Sequence, residues 1–135
     1  MTDLDLERLR DFAERYTAAW CSHDAASVAA FFSANGSLRV NDDAPSVGRK
    51  AIAEVAQRFM TDFPDLEVQA DGLIVRGNQV VYHWKLTGTN TGPGGTGRWV
   101  HIRGFEQWRI GADGLIAESL GHFDSEDYRR QLEGM

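Results

Sequence analysis

The sequence predicts an α+β fold in the order ααβαββββ. Up to Met60 the apolar residues recur every three or four positions, and from Leu66 onward they alternate with polar ones. The alternating segments are joined by short turns, which makes sequential strands antiparallel neighbours. Helical segments thus gather in the first half of the chain and strands in the second, the plan in which helices cover one face of a sheet.

Leu6, Leu9, Phe12, Ala13, Tyr16 and Trp20 form the apolar stripe of a first helix from Thr2 to Cys21, with Thr2 or Asp3 as its cap. Asp24, a favourable N-cap residue, starts a second short helix through Val28 to Phe32, which ends before Asn35-Gly36. Ser37 to Asn41 reads as a brief strand and NDDAPSVG as a loop. Ile52, Val55, Ala56 and Phe59 then mark a third helix that must stop before Pro64. Four strands follow: Leu66 to Val75, Gln79 to Thr89, Arg98 to Ile110 and Leu115 to Phe123. Their connections are RGN, the glycine-rich GTNTGPGGTG and GADG. Asn90 to Gly97 has the composition of a mobile lid, and the chain closes on a basic, helix-like tail after Asp124.

A chain of 135 residues is expected to form one domain, residues 1–135, around a single core. Seven Phe, four Trp and three Tyr supply rings for that core or for the wall of an apolar cavity. The net charge of -6, with no cluster of Lys or Arg, argues against nucleic acid or an anionic membrane as the main partner. The lone Cys21 excludes an intrachain disulfide and fits a reducing compartment. With no apolar signal core and no long apolar window, a cytoplasmic location is expected.

Alternation assigns the faces of the strands. Tyr82, Trp84 and Leu86 oppose His83, Lys85 and Thr87, and Glu106, Trp108 and Ile110 oppose Gln107 and Arg109. The aromatic face should be concave, beneath the helices, and there Glu106 is the anomaly. A carboxyl beside Trp108 loses hydration, which raises its pKa and makes it a proton donor near neutrality. The competing reading places Glu106 at a solvated rim, paired with Arg98. Asp124 also has two positions. Pairing Ile110 with Leu115 puts Leu115, Ala117, Ser119, Gly121 and Phe123 on the Glu106 face and leaves Asp124 outside, opposite His101. A bulge at Gly121 would instead turn the strand end and bring Asp124 to the cavity.

The ending R-I-x-x-D-G-x-I-x-E, carried by Arg109, Ile110, Asp113, Gly114, Ile116 and Glu118 and followed by Asp124, resembles that of the SnoaL-like polyketide cyclases. FPDLEVQ and the GTNTG…TGR loop are similar too, with Asn90 where the family commonly has histidine. The resemblance spans nearly the whole chain. It implies the conical α+β barrel of the nuclear transport factor two-like superfamily: three helices on a strongly curved, mostly antiparallel sheet enclosing a pocket. In the cyclases the aspartate matched by Asp124 is the proposed acid/base, and Glu106 stands where they carry its histidine partner. RYTAAWCSHDAASVAAFF resembles ketosteroid isomerase. That match gives Tyr16 the place of an oxyanion-hole tyrosine and Glu106 that of a protonated acid, a role of that enzyme described for another protein. The isomerase's base falls at Val40, one place from Asn41, so steroid isomerisation is not expected.

Together these readings imply cofactor-independent acid/base chemistry, an aldol cyclisation or an isomerisation, on an apolar carbonyl compound in a deep pocket. Asp124 would abstract a proton from carbon, while Glu106 and Tyr16 would donate to the enolate oxygen. Trp20, Trp84, Trp108, Phe32 and Phe59 are the expected substrate-binding walls. The alternative is a binding or association domain of the same fold that catalyses nothing. A dehydratase or epoxide hydrolase would need a His-Asp or Asp-Arg-Asp set, of which His101 and Arg103 are the only nearby parts. Tyr16 also reads as a core residue with a satisfied hydroxyl, His83 as a solvated histidine, His23 with Asp24 as a helix-start pair and Cys21 as a small buried residue. His23, His83, His101 and His122 show no zinc spacing, GPGGTG is no phosphate loop, and neither a metal nor a cofactor is expected. The resemblance further implies a homodimer through the sheet, with Gln107, Arg109 and Glu118 in a polar interface.

Overall fold

The computed structural model describes residues 3–134. The helix α1 runs from Asp3 to Cys21. Its expected cap falls on Thr2 or on the Asp3 side chain, both outside the described residues. After it come α2 (Ala25–Ala29), β1 (Phe32–Val40), β2 (Ser46–Val47) and α3 (Arg49–Asp62). Then β3 (Glu67–Arg76), β4 (Gln79–Thr89), β5 (Trp99–Ile110) and β6 (Ile116–Phe123) build most of the sheet, and α4 (Ser125–Glu133) closes the chain. The expected α+β order is therefore present, with β2 and α4 added.

Two boundaries differ from the expected ones. The second helix ends at Ala29 and Phe32 already opens β1. Pairing decides this: Phe32 aligns with Ile116 in a parallel ladder with β6, a long-range partner invisible to local periodicity. Asp24 does cap α2, accepting from the Ala26 amide. Likewise β6 starts at Ile116, since the Ile110–Ile116 pairing absorbs one more turn residue than the expected Ile110–Leu115 pairing. Gly114, at φ +78°, supplies the left-handed turn residue that this connection needs.

The six strands lie in the order β2-β1-β6-β5-β4-β3, antiparallel except for β1 beside β6. The register of the three central strands positions the site. Tyr82 pairs with Glu106, and Glu106 in turn with Gly121, so all three share one rung. Along β4 burial alternates strictly, with Val80, Tyr82, Trp84 and Leu86 buried and their neighbours half-exposed. The buried face is the concave one, roofed by α1 and α3, whose apolar stripes contribute Phe12, Tyr16, Trp20, Ile52, Val55 and Met60 to the core. Following β6, α4 is fastened to the backbone of β5 by Gln131, which accepts from the His101 amide at 2.7 Å and donates to its carbonyl at 3.0 Å. No helix of the described residues is long and apolar enough to cross a membrane.

Candidate functional site

Glu106 lies at the centre of the concave face, 8 % exposed, among residues that are almost all apolar. Three donors converge on it. Its Oε1 accepts from the Ser119 hydroxyl at 2.7 Å, the Trp108 indole Nε1 at 3.0 Å and the Tyr16 hydroxyl at 3.0 Å. Oε2 has only the longer 3.2 Å contact with the same Tyr16 hydroxyl. Each donor arrives by a simple geometric rule. Trp108 is two residues along the same strand, hence on the same face. Ser119 pairs directly with Trp108 on β6, and Tyr16 descends from α1. Gly121, opposite Glu106, leaves space there: a Cβ would stand 3.3 Å from the Arg39 carbonyl and 3.9 Å from the Glu106 side chain.

An indole N–H only donates, so the oxygen that receives it is an acceptor. The oxygen left to carry a proton is therefore Oε2. Burial raises the Glu106 carboxyl above the ordinary glutamate range, and the bonds from Trp108, Ser119 and Tyr16 offset this only in part. Burial, reinforced by the Glu106 charge, also holds the Tyr16 hydroxyl well above its usual value. Tyr82 is raised for the same first reason, while its hydroxyl bonds to Thr17. Among the described residues none of these groups is paired with a cation.

Beside Glu106 is a cavity of about 60 Å³. Its aromatic walls are Trp20, Phe59, Tyr82, Trp84 and Phe123, and Leu38, Val40, Val55, Val68, Leu86 and Ile102 complete the apolar lining. Glu106 is the only ionisable group of the lining apart from the Tyr82 phenol. Trp20 packs edge-on to Phe59 at 6.2 Å and Trp84 edge-on to Phe123 at 6.0 Å, which fixes the rings as walls. A second, more open space of about 460 Å³ shares Leu38, Val40, Val55, Phe59 and Phe123 with the first and adds Asp42, Asp43, Arg58, Asp62 and Tyr128. The half-buried Phe59 and Phe123 stand between the two spaces.

Several expected site residues lie elsewhere. Asp124 is exposed and caps α4, its Oδ1 accepting from the Glu126 and Asp127 amides at 3.0 Å each. The ladder from Gly104–Phe123 to Arg109–Glu118 runs without interruption past Gly121, so there is no bulge to turn the strand end inward. Asp124 instead borders an open depression with His83, Arg103, Phe105 and His122, on the side away from Glu106. Its expected neighbour on the outside, His101, meets Gln131 through its backbone amide and carbonyl, and no hydrogen bond joins Asp124 to it among the described residues. The expected meeting of Asp124 and Glu106 carboxyls is thus corrected: strict alternation separates them.

Tyr16 does meet Glu106, but its ring is fully buried behind the carboxyl and forms no part of the cavity lining, so it positions Glu106 and does not reach a ligand. Trp108 and Phe32, expected as walls, are likewise completely buried in the core. Trp20, Trp84 and Phe59 do line the cavity. Tyr82 and Phe123 were missed as walls, although the alternation of Tyr82 with Trp84 carried the signal for the first.

The solvated rim reading of Glu106 with Arg98 is excluded by its burial. Asn90 is a loop fastener, donating to the Asp62 carbonyl and accepting from the Thr96 amide, so part of the expected lid is tied down. His23 contacts the Leu66 carbonyl and His122 the Gln107 side chain. Cys21 is exposed rather than buried, with its thiol on the Val68 carbonyl. No group of three or more metal-ligating side chains occurs among the described residues.

The six-stranded, mostly antiparallel sheet roofed by helices has the α+β cone fold seen in ketosteroid isomerase-like and nuclear transport factor two-like proteins. Within that class, residues 13–119 match the model of the SnoaL-like domain, and the chain belongs to this family. The fold is shared with TsrD from Streptomyces laurentii (TM-score 0.80, 20 % identity, 94 % of this chain and 96 % of that one). It is also shared with a protein assigned as a SnoaL-like polyketide cyclase from Jannaschia sp. CCS1 (TM-score 0.77, 19 % identity, 92 % of each chain). A third likeness is to SalBIII, an epoxide hydrolase/cyclase-like enzyme with a role in pyran ring formation in the polyether salinomycin (TM-score 0.78, 16 % identity, 91 % of this chain and 95 % of that one). No curated protein matches the chain.

Proposed function

We propose that this protein binds a compact small molecule in its concave cavity and that Glu106 is the ligand's one ionisable anchor, able to exchange a proton with it. The carrying observation is that Glu106 is a buried carboxyl with an oxygen to spare, in a lining otherwise apolar except for a hydroxyl already bonded to Thr17. The aldol scheme needs a base and separate donors for the enolate oxygen. With Asp124 on the outside and Tyr16 behind Glu106, the inner cavity holds no second acid, and its one hydroxyl, that of Tyr82, is already bonded to Thr17. The geometry therefore favours the binding reading, with proton transfer confined to one group.

The inner cavity, at about 60 Å³, takes one compact functional group. The adjoining space of about 460 Å³ has the dimensions for the remainder of a larger ligand. Binding is tested by titrating the protein with cyclohexanone, cyclohexanol and cyclohexylamine while following the indole N–H resonances of Trp20 and Trp84 by NMR. At least one probe is expected to shift both resonances saturably, and Asp124→Asn is expected to bind it with unchanged affinity. Indoles that respond to none of the three at millimolar concentration, or an Asp124→Asn variant that loses binding, would refute the assignment.

A further inference from the structure

The chemistry of the cavity wall selects among polar groups. Resting on the pocket reading above, we propose that the ligand's anchored group is a protonated amine, held among Trp20, Phe59, Tyr82, Trp84 and Phe123 with Glu106 as its counter-ion. Ring faces carry negative charge density and attract a cation, and the attraction strengthens as water is excluded. A carbonyl or hydroxyl gains nothing comparable from them, and a carboxylate would meet both the rings and Glu106. The lining holds no lysine, arginine or histidine that could receive an anion.

The approach to the cavity has the same sign. Asp42, Asp43 and Asp62 border the outer space against a single cation, Arg58, and no ion pair within 4.0 Å engages any of the four among the described residues. Such an arrangement concentrates cations at the mouth and repels anions. The donors on Glu106 complete the case. Ser119, Trp108 and Tyr16 all present hydrogens to one oxygen, an arrangement that stabilises the carboxylate once an ammonium neutralises it.

The proton balance is simple. A neutral amine entering beside neutral Glu106 takes the Oε2 proton onto its nitrogen. An ammonium ion arriving from water requires that proton to leave to solvent. In the second case affinity rises with pH until Glu106 is ionised without ligand, and up to one proton is released per amine bound. The other titratable groups facing Glu106 are Tyr16 on α1 and Tyr82 on β4, both shifted upward by burial. The cavity faces of α3, β1, β3 and β6 contribute only apolar residues and Gly121. A pH response arising inside the cavity therefore belongs to Glu106.

The test is calorimetry with cyclohexylamine and cyclohexanone from pH 5 to 8, in buffers of differing ionisation enthalpy. Cyclohexylamine, of lysine-like basicity near about 10.4, stays protonated throughout. It is expected to bind at least tenfold tighter than the ketone at pH 8, to gain up to tenfold per pH unit below the Glu106 midpoint, and to release protons there. The ketone, which needs the acid's hydrogen, should weaken over the same range. Glu106→Gln, whose amide oxygen can accept from the same three donors, should lose at least tenfold in amine affinity and, having no proton to give up, should lose the proton release and the pH dependence of amine binding. Trp84→Leu, independent of the carboxyl network, should weaken the amine more than the ketone. A combined Asp42→Asn, Asp43→Asn, Asp62→Asn variant should bind the amine more weakly at low salt and normally at high salt. A ketone that binds as tightly as the amine, or a Glu106→Gln variant that keeps amine affinity, overturns the amine and leaves the pocket reading standing. Absence of binding by both probes overturns the pocket reading itself.

Discussion

Replacing Glu106 with leucine is expected to destabilise the fold by about 2–5 kcal/mol, whereas Glu106→Gln is expected to change stability by less than about 1 kcal/mol at acidic pH. Leucine fills most of the volume but leaves the Ser119 hydroxyl, the Trp108 indole and the Tyr16 hydroxyl without their acceptor. An orphaned buried donor costs about 1–3 kcal/mol. Losing the carboxyl also removes its own desolvation cost, so the total falls short of three full penalties. Glutamine restores the acceptor and removes the charge. The two substitutions therefore separate hydrogen bonding from ionisation, and urea denaturation at several pH values resolves both. The sign for the parent follows from the raised folded pKa. The fold favours the neutral acid, so the contribution is fully present below the unfolded glutamate value of about 4.3 and is lost as pH climbs through the higher folded value. Glu106→Gln should lack that loss and become more stable than the parent at alkaline pH. A leucine variant as stable as the parent would show that the three donors find other partners.

Trp108→Ala should cost about 3–5 kcal/mol, among the largest effects available in this core. The indole is fully buried. It stacks on Tyr82 with ring centres 4.8 Å apart and receives Phe12 and Tyr16 edge-on at 5.7 and 5.2 Å. Removal leaves a void among rings that cannot collapse without breaking the Tyr16 and Ser119 contacts to Glu106. Trp108→Phe keeps much of the packing and deletes only the N–H on Oε1, so it should fall well short of the alanine cost. The same urea series measures both variants. Equal losses for Phe and Ala would mean that the hydrogen bond, not the ring, carries the energy, and a loss under about 1 kcal/mol for Ala would contradict the packing described here.

Much of this was readable from the chain. Period-two alternation is enough to put Glu106, Trp108, Tyr82 and Trp84 on one face, because the side-chain direction in a strand is fixed by parity. Parity also gave the correct outside position for Asp124, and the opposing possibility rested on a bulge that Gly121 permits but the ladder does not contain. The capping role was written locally: Asp124 precedes Ser-Glu-Asp, and an aspartate N-cap followed by acidic residues in the first turn is a helix-start signature. What could not be read is whether a buried ring borders a void. The stripe of α1 shows that Tyr16 and Trp20 both face the sheet, yet only Trp20 reaches the cavity, since that depends on neighbours far away in sequence. Phe32 and Trp108 were misplaced for the same reason. The parallel pairing of β1 with β6, which converts Phe32 from helix to strand, is likewise a long-range choice.

The most direct measurement is the carbon-13 titration of the glutamate side-chain carboxyls, with Glu106 assigned by its absence in Glu106→Gln. One resonance, missing from that variant, is expected to titrate above the ordinary glutamate value of about 4.3 and to remain neutral after the exposed glutamates have ionised. A Glu106 signal that titrates at or below that value would mean a hydrated carboxylate, and the dry cavity with a protonatable anchor would be wrong.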